Sequence, residues 1–502
     1  MALREPARIE ERIARSVVYL VGSRLIIQVF ATLSGILVAR WLSPADYGVI
    51  ALAGAATIAI SMLGELGVGA AIIQFPDLEA AELNAAFWAT ALLGALLYAA
   101  VWGAAPILAG YFSSPTLSPV LRVTGIGAFL SVVRVVPESL LRKRLHLDKV
   151  SIVDIVASGL NIPLVLGLAW AGAGVWALVA GAVFGALVQC VLFFLLAQWR
   201  PGLRVGSRRL RPLLGYSWAA LGSRLAWSVY SQGDRLVLGR VAGDVTLGFY
   251  ALASQLALLP VEKVAAVINQ ILVPALAESQ ADPEAMSRYF LRGVRIVAWS
   301  VFPLSFGLLA FAETAVPLVL TAKWSPIVPL LQVLCLYAAT RSLALLFPPV
   351  LFAAYRADFL FLYNMVLLVA LPAGFVVGAW WKGALGVAAA WAVLYPLVAI
   401  WMMNRALRLL GMPWQSFGRE LWRPIASTAV MLGLALVAHR TVAGGGAVAL
   451  IVAIVTGALA HGAAFVFFGG SAVADIRGLA GALRTRSSAG GPVLAAPDRT
   501  ET

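Results

Sequence analysis

Apolar stretches of about 20 residues follow one another along nearly the whole of this 502-residue chain, and that succession limits its fold more than any motif does. Each is long enough to cross a bilayer as one helix, and backbone polar groups in hydrocarbon must find partners inside their own segment. Residues are 62% hydrophobic and 12% charged, against about 25% charged in a soluble domain, which excludes a water-soluble globule. Hydropathy over a window of about 19 residues places fourteen spans, at 17–39, 48–73, 84–108, 117–140, 150–170, 173–198, 214–238, 247–273, 293–316, 327–353, 359–380, 384–404, 424–440 and 444–468. The expected fold is an all-α polytopic membrane protein of about fourteen transmembrane helices.

Lysine and arginine divide unequally between the two sets of connections. One side collects Arg4, Arg8, Arg12 and Arg15, then Arg142, Lys143, Arg144 and Lys149, then Arg200, Arg204, Arg208, Arg209 and Arg211. Arg288, Arg292, Arg295, Arg356, Arg405, Arg408, Arg419, Arg423 and the tail arginines join them. Arg40, Arg240, Lys323, Lys382 and Arg440 fall on the other side, a ratio of roughly five to one. That bias puts both termini in the cytoplasm and accounts for most of the +14 net charge. It is not a nucleic-acid footprint, because no basic run is interleaved with aromatics on a soluble element.

Residues 22–53 repeat at 222–253 without gaps. Gly22-Ser23-Arg24-Leu25, Arg40 and Gly48 recur as Gly222-Ser223-Arg224-Leu225, Arg240 and Gly248. A second echo aligns Ser131 with Ser342 and Pro137 with Pro348, at an offset of 211. Six spans separate the copies, so the halves are parallel and related by an axis along the membrane normal, an arrangement found in transporters with a site between the halves. The resulting plan has two pseudo-symmetric six-helix bundles, 17–199 and 214–410, joined by a basic linker at 200–213. An amphipathic N-terminus (1–16), two extra transmembrane helices (411–468) and a disordered tail (469–502) complete it.

Charges inside the spans are costly in lipid and should face a bundle interior or a water-filled cavity. Arg24, Arg224, Arg134, Arg341 and Lys263 are the deep cations, and a cavity lined by them suits an anionic passenger, above all a phosphate gripped by forked donors. Glu65, Asp234, Arg235 and Glu262 read either as ion-coupling groups or as structural ion pairs. Glu65 lies in "GELGVGA", which also fits close helix packing. Tryptophans near span ends, Trp41, Trp88, Trp199, Trp324, Trp381 and Trp414, read as an interfacial belt. Cys190 and Cys335 stand alone and the three histidines have no partner at motif distance, so neither a metal nor another cofactor is expected.

Two stretches, "VARWLSPADYGVIALA" (38–53) followed by "LGELGVGAAIIQ" (63–74), resemble the opening of the Wzx-type polysaccharide exporters. These are lipid-linked oligosaccharide flippases of the multidrug/oligosaccharidyl-lipid/polysaccharide exporter superfamily. "SQGDRLVLGRVAGDVTLGFYALASQLALLPVEKVAAVINQILVPALAE" (231–278) and "KWSPIVPLLQVLCLYAATRSL" (323–343) resemble their second half. The resemblance implies two bundles facing each other in a V and alternating access. It implies export of undecaprenyl-pyrophosphate-linked oligosaccharide across the bacterial inner membrane for lipopolysaccharide or exopolysaccharide synthesis. Arg24 matches, in residue type, the first-span cations that line the cavity of related flippases. Coupling to a Na⁺ or H⁺ gradient comes with the resemblance, although no residue here matches a coupling site. So do partners in the membrane: its lipids, a polysaccharide polymerase and the chain-length machinery.

Two other classes remain to be weighed. A drug/cation antiporter of the same superfamily would have to move cations through an arginine-rich cavity. A membrane polymerase or ligase would need a sizeable external loop with catalytic groups, and every external connection here is short.

Overall fold

The computed structural model describes residues 30–468 apart from 66, 76–77, 205, 207–209, 281 and 443–445; the side chains of 59, 210–226, 266 and 271 are likewise outside the description. Arg24, the N-terminal segment 1–16 and the tail 469–502 therefore lie outside the described residues, as does the Arg224 side chain.

Among the described residues the chain is helical throughout: α1 (Phe30–Trp41), α2 (Pro44–Glu65), α3 (Val68–Gln74), α4 (Ala80–Tyr111), α5 (Leu117–Val133), α6 (Val135–Lys143), α7 (Leu147–Trp170), α8 (Val175–Ala197), α9 (Leu210–Glu278), α10 (Pro283–Val319), α11 (Ile327–Ala344), α12 (Phe347–Ala353), α13 (Ala357–Leu409), α14 (Trp414–Thr441) and α15 (Ala447–Phe468). Eleven helical segments are long and apolar enough to cross a membrane. Fourteen are not counted by this measure: α9 and α13 each run through a break that leaves two crossings in one segment, and the first expected span is described only from Phe30, as the short α1. The breaks are at Gly243 (φ 75°) and at Lys382-Gly383 (φ 57° at the glycine), where a left-handed turn falls to the residue without a Cβ.

Of the further breaks within single spans, two share one residue type as their cause. Proline lacks an N–H and its ring clashes with the carbonyl four residues back. Pro137 points that clash at Val133, the last residue of α5; Pro348 points it at Ala344, the last residue of α11. The repeat-related prolines thus interrupt repeat-related helices at the same place. Pro260, by contrast, stays inside α9 without a non-helical residue beside it.

Local sequence also starts the helices. In "SPAD", Ser43 precedes Pro44 at the first helical position, and the Ser43 amide and hydroxyl donate to Asp46 Oδ2 at 2.8 and 2.7 Å. The Val175 amide, first in α8, donates to Asp46 Oδ1 at 2.9 Å, so one carboxylate ties two helix starts together. At the opposite end, the basic linker is strapped to α4. Gly202 donates its amide to Asn84 Oδ1 (2.9 Å), Asn84 Nδ2 donates to the Arg204 carbonyl (3.1 Å), and Trp88 Nε1 donates to the Gly202 carbonyl (3.0 Å). Large apolar side chains such as Trp170 and Trp380, each 78% exposed, cover the outside, the inverse of a soluble surface and the proper face for lipid.

Candidate functional site

The halves meet in a seam at the end of the bundle opposite the arginine-rich connections. Gly48 of α2 and Gly248 of α9 make that meeting possible. A Cβ on Gly48 would fall inside the backbone carbonyl of Asp244, and a Cβ on Gly248 inside that of Pro44. Position 44 corresponds to 244 under the repeat, so the contact is reciprocal, the mark of a two-fold interface in which each side presents the same patch. Nearby, Leu52 packs where a Gly239 side chain would stand.

Helix ends lock this seam. The last carbonyls of a helix have no partner in their own helix and carry the negative end of its dipole, so cations settle there. Arg40, at the end of α1, donates from Nε to the Val319 carbonyl (2.8 Å) and from Nη2 to that of Leu318 (2.9 Å), at the end of α10. In return Lys323 Nζ donates to the Arg40 and Leu42 carbonyls at 2.7 and 2.8 Å. Partial burial lowers the Lys323 ammonium from the ordinary lysine value, and the nearby Asp46 carboxylate offsets part of that. Arg240, the repeat copy of Arg40, sits over the ring of Tyr111 at the end of α4, 5.1 Å from its centroid.

Trp324 is the wedge of the lock. Expected in the interfacial belt, it is instead fully buried, and its indole Nε1 donates to the Ala39 carbonyl at 2.8 Å. Its ring takes Tyr47 of α2 edge-on at 5.3 Å and Phe249 of α9 at 5.8 Å, one from each half. Truncating a buried tryptophan typically costs about 3–5 kcal/mol. Trp324→Ala is therefore expected to lower the melting temperature of the purified protein and, with Ala53→Cys as the reporter in a background without Cys190 and Cys335, to open the seam to water-soluble thiol reagents. A variant that melts and labels like wild type would show that the ring does not hold the seam.

The second half carries a polar centre. Arg341, on α11, borders a cavity of about 350 Å³ with Trp227 and Tyr230 of α9, Phe352 of α12, and Tyr363 and Tyr395 of α13. Among the described residues no carboxylate lines it. The guanidinium donates from Nη1 to the Tyr337 hydroxyl at 2.6 Å, while its Nε is buried without a partner. Deeper in the bundle lies the buried Asp234. Its Oδ2 accepts from the Tyr250 hydroxyl at 2.6 Å and from Trp391 Nε1 at 3.0 Å. Tyr337 packs against Trp391 with centroids 4.8 Å apart, so the cationic and anionic sites are linked through two aromatic rings.

The other predicted residues separate into groups. Asp234 and Arg235 are not joined side chain to side chain: the Arg235 guanidinium donates to Gln232 Oε1 at 2.7 Å, and only its backbone amide reaches Asp234. Arg134 stands at the α5–α6 break, 3.7 Å from Glu138, which also takes Arg142 through two donors. The Arg134 Nε is buried without a partner, and its guanidinium lies 5.6 Å from the Phe193 ring centroid. Glu65 and Ser139 both crowd the place of a Gly69 side chain, which brings α3 close to α6. Glu262 and Lys263 are exposed and make no hydrogen bond or ion pair among the described residues. The structure thus does not bring all the predicted cations to one place; Arg341 has the cavity, and Arg134 has a carboxylate.

Sequence reasoning did not single out the aromatic surroundings of Arg341. Tyr230, Tyr337, Tyr363 and Tyr395 come from three helices, and only their shared polar tips, on otherwise apolar faces, signal a common centre.

Over residues 37–329 the chain matches the family described as "Polysaccharide biosynthesis protein". It is 24% identical over 385 residues to the teichuronic acid biosynthesis protein TuaB of Bacillus subtilis, covering 75% of this chain and 78% of that one. It is 26% identical over 407 residues to the lipopolysaccharide biosynthesis protein WzxC of Escherichia coli, covering 77% and 79%. Among solved structures, the lipid II flippase MurJ in an inward closed conformation superposes with a TM-score of 0.73 at 12% identity, over 90% of this chain and 98% of that one. That likeness is one of fold.

Proposed function

The chain belongs to the polysaccharide biosynthesis protein family, and from that premise we propose that it flips a lipid-linked oligosaccharide, carried on undecaprenyl pyrophosphate, across the bacterial inner membrane. The observation that carries this reading is Arg341, a guanidinium at an aromatic cavity with no carboxylate in its lining among the described residues. An arginine at membrane depth without an acid is costly unless an anion visits it, and a pyrophosphate can occupy both arms of the fork. The same feature counts against a drug/cation antiporter, whose cargo the guanidinium would repel.

The orientation follows the arginine count, with both termini cytoplasmic. On that assignment the Gly48–Gly248 seam closes the outer face, and a headgroup enters from the inner leaflet. The oligosaccharide crosses in the cleft between the halves while the polyprenyl tail stays in lipid. Opening of the seam then releases the unit at the outer face, where a polymerase and its chain-length machinery would take it. Arg24 and Arg224 belong to the same reading, as equivalent positions of the two halves that extend the anion path. Gradient coupling, by Na⁺ or H⁺, is assigned to the buried carboxylate at Asp234 or to Glu65, and not to the exposed Glu262.

Deleting the gene tests the assignment. Surface polysaccharide should disappear while lipid-linked units accumulate on the cytoplasmic leaflet, read by protection of their sugars from an external glycosidase in intact cells. If the units reach the outer leaflet at the normal rate, the reading is overturned.

A further inference from the structure

Two cavities meet at Trp299 of α10, and neither shares a lining residue with the cavity of Arg341. One, of about 720 Å³, runs between α10 and the C-terminal pair α14–α15, with Pro303, Phe311, Met431, Ile454 and Phe465 on its walls. Its size falls within the range of ligand pockets, about 300–1,000 Å³. His461 in its wall is already satisfied, with Nδ1 at 2.8 Å from Ser427 Oγ and Nε2 at 3.0 Å from the Trp299 carbonyl. The groove therefore offers apolar surface with few open polar groups. The other cavity, of about 400 Å³, begins on the opposite side of Trp299 and is lined by Arg295, Arg419, Glu420, Trp422, Arg423 and Phe468.

Charge in this second cavity is unequal. Arg295 is matched to Glu420, at 2.9 Å. Among the described residues Arg423 reaches only the Phe468 carbonyl, at 3.4 Å, and lies by the ring of the exposed Trp422. Arg419 is exposed and makes no hydrogen bond or ion pair among the described residues. A basic pocket opening into an apolar groove at membrane depth has the two-part chemistry of an anionic lipid, and such pockets between transmembrane helices hold acidic headgroups.

We propose that this pair of cavities is a binding site for an anionic glycerophospholipid of the surrounding bilayer. Its phosphate lies between Arg419 and Arg423, and an acyl chain lies along α10 in the groove. The bound lipid fills the groove between α10 and the C-terminal pair, whose buried apolar contact there is the small cluster of Phe311, Ala435, Leu450 and Ala453, beside the polar links from Trp299 to His461 and from Arg295 to Glu420. The site thereby braces the two extra helices against the second half. It does not depend on what passes between the halves.

The test uses the full-length protein purified in detergent, with phosphatidylglycerol and phosphatidylcholine of matched chains as probes and native mass spectrometry counting the lipid retained. Two variants dissect the site. Arg419→Gln with Arg423→Gln removes the phosphate donors from an exposed surface. Gly462→Leu fills the groove, where a Cβ on Gly462 meets no atom within 4 Å. Wild type should retain phosphatidylglycerol over phosphatidylcholine. At about 1 kcal/mol for each basic side chain near an anionic headgroup, the double variant should lose roughly thirtyfold of that preference. Gly462→Leu should reduce retention of both lipids. Equal retention of the two lipids by wild type, or unchanged retention in both variants, overturns the proposal. So does displacement of the retained phosphatidylglycerol by a polyprenyl pyrophosphate that then binds in a variant-sensitive way, which would make the groove part of the cargo's path.

Discussion

Gly48→Val and Gly248→Val should each stop export while leaving the protein in the membrane. Either side chain would have to enter the backbone carbonyl of the facing half, at Asp244 or Pro44. Neither carbonyl can rotate away as a flexible side chain could. Overpacking of this kind costs about 1–3 kcal/mol, which alone shifts a two-state equilibrium about five- to 150-fold. The penalty falls only on the state in which the seam is shut. The variants should therefore accumulate with the outer face open, unable to return for a new passenger. A cysteine at Ala53, buried at the seam, reports this in a background with Cys190 and Cys335 replaced. Its labelling by an impermeant maleimide from outside should rise in both variants. Wild-type labelling together with wild-type export would refute the seam as a gate.

Arg341→Ala is the second large effect. Charge-assisted hydrogen bonds contribute about 1.5–3 kcal/mol, so loss of the guanidinium should reduce transport about tenfold to 150-fold. Arg341→Lys should recover only part, because an ammonium is a point charge without the two-armed fork. Stability separates this role from a structural one. The residue has one hydroxyl partner and an unpartnered Nε, so its removal relieves a desolvation cost and the melting temperature should hold or rise. A fall in melting temperature with transport unchanged would assign Arg341 to packing.

Much of the architecture was legible because lipid enforces simple rules. Backbone satisfaction requires helices, span length requires apolar runs, and a duplicated "GSRL" with Gly48 and Gly248 placed the two halves in parallel. The prolines at 137 and 348 were visible as a pair, and their clash with residues 133 and 344 explains two helix breaks that hydropathy alone runs through. The site was less legible. Depth in a span says that an arginine needs company, but not whose. Arg134 found Glu138 one turn away on the following helix, a local partner that spacing could have suggested. Arg341 bonds the Tyr337 hydroxyl one turn back on its own helix, but its cavity is lined by Tyr230, Tyr363 and Tyr395 from helices far apart in the chain, which no local pattern records. Trp324 shows the same limit. Its place near a span end fits the membrane interface, whereas the carbonyl of Ala39 and the rings of Tyr47 and Phe249 make it a buried joint.

The reciprocal contact at the seam also bears on ancestry. Gly48 lies against position 244 and Gly248 against position 44, the geometry that one half would adopt against a second copy of itself. In such a homodimer any change at that glycine would strike twice, on both sides of the same axis. Fusion into one chain halves that burden and frees the two sides to diverge. Divergence is already visible at the neighbouring arginines, where Arg40 grips helix-end carbonyls and Arg240 rests on a tyrosine ring. An asymmetric cargo with a headgroup at one end gains from such unlike jaws, which a symmetric pair cannot evolve.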